Sequence, residues 1–191
     1  MMVQFRSISM RRQTIIIEFF PGKIGIMKKV QVGSVMGSDS DLPIMQEAEE
    51  ILKQFGIRYF MTVASAHRTP DKVASIARRA EEEDWKVLIA GAGMAAHLAG
   101  VLASHTIVPV IGVPMDSSKL GGLDALLSTV QMPGGVPVAT MGLGAAGAKN
   151  AGLLAVHILA AFDPALRKKL QKYREDQRKA LEKKAAKMEG G

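Results

Sequence analysis

The chain has 191 residues, 48% of them apolar and 23% charged, which suits one domain with a sizeable core and excludes a disordered or fibrous protein. It has no cysteine, so disulfides, thiolate metal sites and a cysteine nucleophile are excluded, and a cytoplasmic location is compatible with this. The net charge of +7 divides as +5 over residues 1–29, +5 over 163–191 and −3 between them. The basic excess therefore belongs to two solvated ends, and no basic face for nucleic acid is expected on the body.

No run approaches the roughly 20 apolar residues of a membrane span, so no membrane partner is expected. The apolar stretch from Thr14 to Phe20 is short and is interrupted by Glu18 and Pro21. No small-residue cleavage site follows it, so it makes a poor signal peptide. Met27-Lys28-Lys29 ahead of a β-branched run reads as a natural beginning. Residues 1–28 are accordingly expected to be an N-terminal extension, disordered or loosely attached, with no role in the chemistry.

From residue 29 the pattern alternates strand and helix. A strand is predicted over 30–36, and a helix over 42–55 with apolar spacing at Ile44, Met45, Ala48, Ile51, Leu52 and Phe55. Asp41 can cap that helix, Pro43 sits in its first turn and Gly56 ends it. A strand follows over 57–64, a helix over 71–83 opened by Pro70, and a fully buried strand over 86–90. A small-residue helix is predicted over 95–104, a strand over 108–113, a helix over 123–130 and a strand over 136–141. Two helices close the chain, an Ala/Gly/Leu one over 145–162 and a basic amphipathic one over 164–188. Short apolar strands alternating with helices imply a parallel sheet covered on both faces. The fold class is α/β, a three-layer sandwich doubly wound in the flavodoxin-like manner. Residues 29–162 are expected to form the catalytic domain and 163–191 a basic C-terminal helix and tail.

In such sheets ligands bind outside the carboxyl ends of the strands. Those ends read Gly37-Ser38-Asp39-Ser40-Asp41, then Ser65-Ala66-His67-Arg68-Thr69-Pro70, then Gly91 through His97, then Gly112-Val113-Pro114. Turn residues alone would not supply this collection of hydroxyls, acids, an arginine and two histidines. The first loop matches neither a Walker loop nor GxGxxG. Asp39 and Asp41 would repel a phosphate placed on them, so hydroxyls and helix-start amides suit the phosphate and a carboxylate suits sugar hydroxyls. Ser40 and Asp41 also serve as helix caps, and the two roles are compatible. Arg68 offers a planar fork for phosphate. His67 can give and take a proton near neutral pH, since imidazole has an unperturbed pKa of about 6.5. His97 begins a helix lined with Gly and Ala, where a flat ring can approach the backbone, and it reads equally well as a helix-surface residue. No carboxylate lies at ligand spacing from the two histidines, so no metal is expected.

Val35-Met36-Gly37-Ser38-Asp39-Ser40-Asp41, the SAHRTP hexapeptide at 65–70, the 91–98 stretch and Gln131-Met132-Pro133-Gly134-Gly135 together resemble N5-carboxyaminoimidazole ribonucleotide mutases. The four segments come in that family's order and spacing. An animal-type carboxylase branch, which uses free carbon dioxide, has a lysine-glycine pair where Arg68-Thr69 stand. Met94 stands where the family usually has glycine, and Ala99 where it usually has proline. The resemblance implies a mutase of purine biosynthesis that moves a carboxyl group from the exocyclic nitrogen of an imidazole ribonucleotide to ring carbon C4. It implies His67 as general acid and base. It implies Ser38, Ser40, Asp41, Ser65 and Arg68 on the ribose phosphate, and Ala92, Gly93 and His97 at the base and carboxyl end. It implies the 131–135 loop closing on the site, no cofactor, and a homo-oligomer, an octamer in the family. Two other readings stand beside it: a carboxylase using free carbon dioxide, and a non-catalytic flavodoxin-like nucleotide-binding module.

Overall fold

A computed structural model describes residues 29–189 and, ahead of them, the backbone of three strands: β1 (Phe5–Met10), β2 (Gln13–Phe20) and β3 (Lys23–Ile26). These pair as an antiparallel meander in the order β1-β2-β3. The side chains of residues 1–28 lie outside the described residues, as do positions 1–4, 11–12, 21–22, 27–28, 190 and 191 entirely. The extension expected over 1–28 falls on that segment.

The body is built on five parallel strands: β4 (Val32–Met36), β5 (Tyr59–Val63), β6 (Val87–Ala92), β7 (Val110–Pro114) and β8 (Ala139–Thr140). Their spatial order is β5-β4-β6-β7-β8. Strand β4 pairs β5 on one side and β6 on the other, both in parallel register, so the winding reverses at β4. Strands β4, β6 and β7 are buried along their whole length, which explains their largely apolar sequences, with Ser34 of β4 the one buried polar residue among them.

Six helices cover the sheet: α1 (Leu42–Phe55), α2 (Pro70–Glu82), α3 (Leu98–Ser104), α4 (Leu123–Val130), α5 (Gly144–Ala160) and α6 (Pro164–Glu189). Strand residues alternate between the two faces, as the two-residue period demands. Val32, Met36, Ile89 and Ile111 meet α1, α5 and the first turns of α6 in one core. Val35, Leu88, Ala90 and Val110 meet α2, α3 and Ala125 of α4 in the other. Trp85, buried ahead of β6, packs at 5.3 Å from Phe60 while Arg79 lies over both rings. The three-layer expectation is thus met. Most element ends differ from prediction by one to three residues. Helix α3 begins at Leu98 rather than 95, and the loop before it turns at Met94, which takes a left-handed φ of 53°. Strand β8 shrinks to two residues behind Pro137, which has no N–H for the ladder.

Helices α1 and α5 pack extensively against each other. Gly152 allows it: a Cβ there would lie 2.8 Å from the backbone oxygen of Ala48 and 3.0 Å from Ile51 Cβ. Alanine normally gains about 1 kcal/mol over glycine inside a helix. Here the added methyl meets backbone, and overpacking of this kind costs about 1–3 kcal/mol. Gly152→Ala is therefore expected to lower the thermal midpoint despite its better propensity. A raised midpoint in a melting experiment would contradict the close approach.

Candidate functional site

The turn after β4 is fixed by its own polar groups. Ser38 caps a single 3-10 turn (Asp39–Asp41): its Oγ accepts from Ser40 N–H at 3.3 Å, while its own N–H donates to Asp41 Oδ2 at 3.2 Å. This is a reciprocal capping box. Ser40 Oγ donates to Ser38 Oγ at 2.9 Å, so the hydroxyls of both serines sit together at the mouth of β4. Asp41 is only 6% exposed. Burial holds its carboxyl above the usual range, opposed by the hydrogen bonds from Ser38 N–H and Ser40.

The turn after β5 is closed the same way. Thr69 Oγ1 accepts from Ser65 N–H at 2.9 Å and donates to Ser65 C=O at 3.1 Å, while Ser65 Oγ accepts from Arg68 N–H at 3.2 Å. The turn places His67 and Arg68 side by side, facing the end of β4. Arg68 Nη2 donates to Gly37 C=O at 3.1 Å, so one arm of the fork is anchored on the first loop. From β6, the segment Gly93-Met94-Ala95-Ala96 turns back to deliver His97 at the head of α3. Its ring meets that of His67: Nε2 of His67 lies 2.6 Å from Nδ1 of His97, with the rings edge to face at 78°. A Cβ on Gly93 would stand 2.9 Å from Ser117 Oγ, so only glycine lets the loops after β6 and β7 approach this closely.

These loops enclose a cleft of about 490 Å³ at the carboxyl edge of the sheet, across the point where the winding reverses. All nine residues singled out in the sequence line it: Ser38, Ser40, Asp41, Ser65, His67, Arg68, Ala92, Gly93 and His97. Ser117, after β7, lines it too and was missed, because the sequence reading stopped at Pro114. Carrying the strand-end rule three residues further would have found it. Met94 also borders the cleft and is 63% exposed. The 131–135 loop does not line the cleft of its own chain; Met132 packs instead toward Gly100 of α3. Among the described residues no group of three or more His, Asp or Glu side chains is placed to hold a metal ion. No described helix is long and apolar enough to cross a membrane.

A cleft with one anchored guanidinium, four serine hydroxyls, a buried carboxylate and two touching imidazoles can bind a phosphorylated sugar and move protons. Because the fold favours the neutral form of Asp41, the wild type loses stability as pH rises from the ordinary carboxylate range through the raised value. Asp41→Asn keeps the acceptor for Ser38 N–H but carries no charge. Its stability relative to the wild type is expected to grow between about pH 4 and pH 7. Unfolding of both proteins at the two pH values measures this, and a difference that stays flat with pH would refute it.

Residues 31–180 match the family model described as AIR carboxylase, a span that reaches well into α6. The N5-carboxyaminoimidazole ribonucleotide mutase of Pyrococcus abyssi is 57% identical over 82% of this chain and 87% of its own. The Thermotoga maritima protein of the same name is 54% identical, covering 83% and 92%. A crystal structure of Treponema denticola PurE superimposes with a TM-score of 0.75 at 30% identity, over 82% of this chain and 97% of that one.

Proposed function

Given that this chain belongs to the AIR carboxylase family, we propose that its cleft carries out the mutase reaction, converting N5-carboxyaminoimidazole ribonucleotide to 4-carboxy-5-aminoimidazole ribonucleotide in purine biosynthesis. The enzyme is then an isomerase. The observation that carries the reading is His67 in an open cleft, beside a guanidinium already tied to the neighbouring strand end.

Ser38, Ser40, Ser65 and Arg68 take the ribose phosphate, and Asp41 the sugar hydroxyls. Ala92, Gly93 and His97 line the end that receives the base and the migrating carboxyl. A carbamate loses carbon dioxide once its nitrogen is protonated, and protonated His67 supplies that proton. The freed aminoimidazole is an enamine-like nucleophile at C4. Carbon dioxide held in the cleft is recaptured there as an effectively intramolecular partner, which lowers the barrier by roughly 7–11 kcal/mol. Neutral His67 then removes the C4 proton and restores aromaticity. No redox change or net hydrolysis occurs, so the chemistry calls for no redox cofactor, ATP or metal.

Residues 29–162 act as the catalytic domain in this proposal, 1–28 as an extension without a chemical role and 163–191 as a basic helix and tail. The protein works in the cytoplasm as a homo-oligomer, an octamer by resemblance. Two observations support self-association. The 131–135 loop lies off its own cleft, and Leu120, Leu123, Leu127 and Val130 form an exposed stripe on and before α4.

Incubation with the carbamate nucleotide, without bicarbonate or ATP, tests the reading: direct conversion to the C4 carboxylate is expected. Conversion only from the decarboxylated nucleotide with carbon dioxide would identify a carboxylase, and no conversion a binding module. His67→Asn should retain nucleotide binding and lose at least about 10²–10⁴-fold in kcat. Near-normal turnover would remove His67 from the mechanism. Arg68→Ala should raise KM and leave kcat far less changed.

A further inference from the structure

We propose that His67 and His97 work as one proton-sharing unit, with His97 a positioning residue that fixes the tautomer of His67 and takes up the proton on its far nitrogen. The proposal rests on the mutase reading for its chemistry but on the ring geometry for its existence. At 2.6 Å between Nε2 of His67 and Nδ1 of His97, only one proton fits between the two facing nitrogens. Two neutral rings satisfy this with one N–H donor and one lone pair. Adding one proton charges the pair once; adding a second would set two N–H groups against each other. The pair therefore holds one extra proton, not two, and its rings titrate together rather than independently.

The backbone makes the meeting specific. His97 lies 30 positions from His67 and is brought there by the left-handed turn at Met94, with His97 N–H donating to Ala95 C=O at 2.8 Å and His97 C=O accepting from Val101 N–H at 2.9 Å. His67 is held on the Ser65–Thr69 turn. The other ionisable groups on the surrounding loops are Asp39 and Asp41 after β4, Arg68 after β5, and Asp116 and Lys119 after β7. None of them occupies a ring nitrogen of either histidine, and the hydrogen bonds of Arg68 and Asp41 go to backbone and serine.

The reaction needs a proton delivered to the exocyclic nitrogen and another removed from C4, which are different atoms. The pair begins the cycle with one proton beyond two neutral rings. It gives that proton to the nitrogen as the N–C bond breaks and carbon dioxide leaves. It recovers one from C4 after the new C–C bond forms. With Nε2 of His67 turned to His97, Nδ1 of His67 is the nitrogen left for the substrate. Each transfer at Nδ1 is matched by a shift of the Nε2 proton toward or away from His97, and no proton is gained or lost over the cycle.

The test uses the full chain in two arms. In the first, histidine ring nitrogens are labelled with ¹⁵N and titrated without substrate. Both rings of the wild type are expected to report one and the same inflection, for the single shared proton, and His67 in His97→Gln an inflection at a different pH. A His67 curve that is the same with and without the His97 imidazole overturns the pairing, whatever the enzyme's substrate. In the second arm, His97→Gln and His97→Phe are each expected to lose about 10²-fold in kcat with little change in KM, with an altered pH profile of kcat. Glutamine can hold the ring of His67 but cannot pass its proton on. Full activity in His97→Gln would overturn the proton sharing and leave only orientation. Circular dichroism of each variant verifies that the fold is kept, and the wild-type conversion assay reports separately on the mutase reading.

Discussion

One backbone hydrogen bond, from Gly37 N–H to Gly91 C=O at 2.9 Å, marks the place on which the site depends. It is the last rung between β4 and β6. Beyond it the chain after β4 turns into a capping box, and the chain after β6 turns toward α3. The two strands stay in register up to this rung and then separate, because the winding reverses at β4: β4 leads to α1 on one face of the sheet and β6 to α3 on the other. The crevice is a consequence of topology. What the sequence adds is the selection of side chains that stand at its rim.

Much of this was legible beforehand, for a physical reason. Fully buried parallel strands are mostly apolar, and their helices must carry apolar faces at 3.6-residue spacing, so the alternation from Val30 onward left few other architectures. Polar residues at three successive strand ends could be assigned to one edge because parallel strands all point the same way. The rule fell short where local backbone geometry decided the outcome. Methionine gives no sign that residue 94 takes a positive φ, and the small residues Ala95 and Ala96, which favour a helix, stand in the loop before α3. Pro137 did signal the weakness of β8, and the strand prediction over 136–141 passed over it. Ser117 escaped because the apolar run was ended at Pro114, while the cleft draws on residues just past that point. The contact between His67 and His97 could not be read at all. It depends on side-chain placement across two loops, which spacing along the chain does not encode.

The family comparison and the geometry bear on different questions. Similarity over residues 31–180 establishes kinship and, with it, the general chemistry. It does not explain why His67 needs a neighbour or why an exposed methionine sits in a left-handed turn at the cleft mouth. A residue other than glycine held at φ 53° carries a local conformational cost of about 1–3 kcal/mol, which the surrounding structure must offset. That cost falls on the short tether that presents His97, between the buried Ala92 and the head of α3.

The close contact of α1 and α5 through Gly152 has a mechanical corollary. Helices packed backbone to backbone have no side-chain cushion across which to slide, so α1 is clamped along its length. Its amino end carries the Ser38–Asp41 turn, which makes that wall of the cleft stiff. The opposite wall hangs from the short helix α3 by a tether rich in glycine and alanine. An arriving nucleotide therefore meets, on the Ser38–Asp41 side, a wall braced from behind by helix backbones in direct contact.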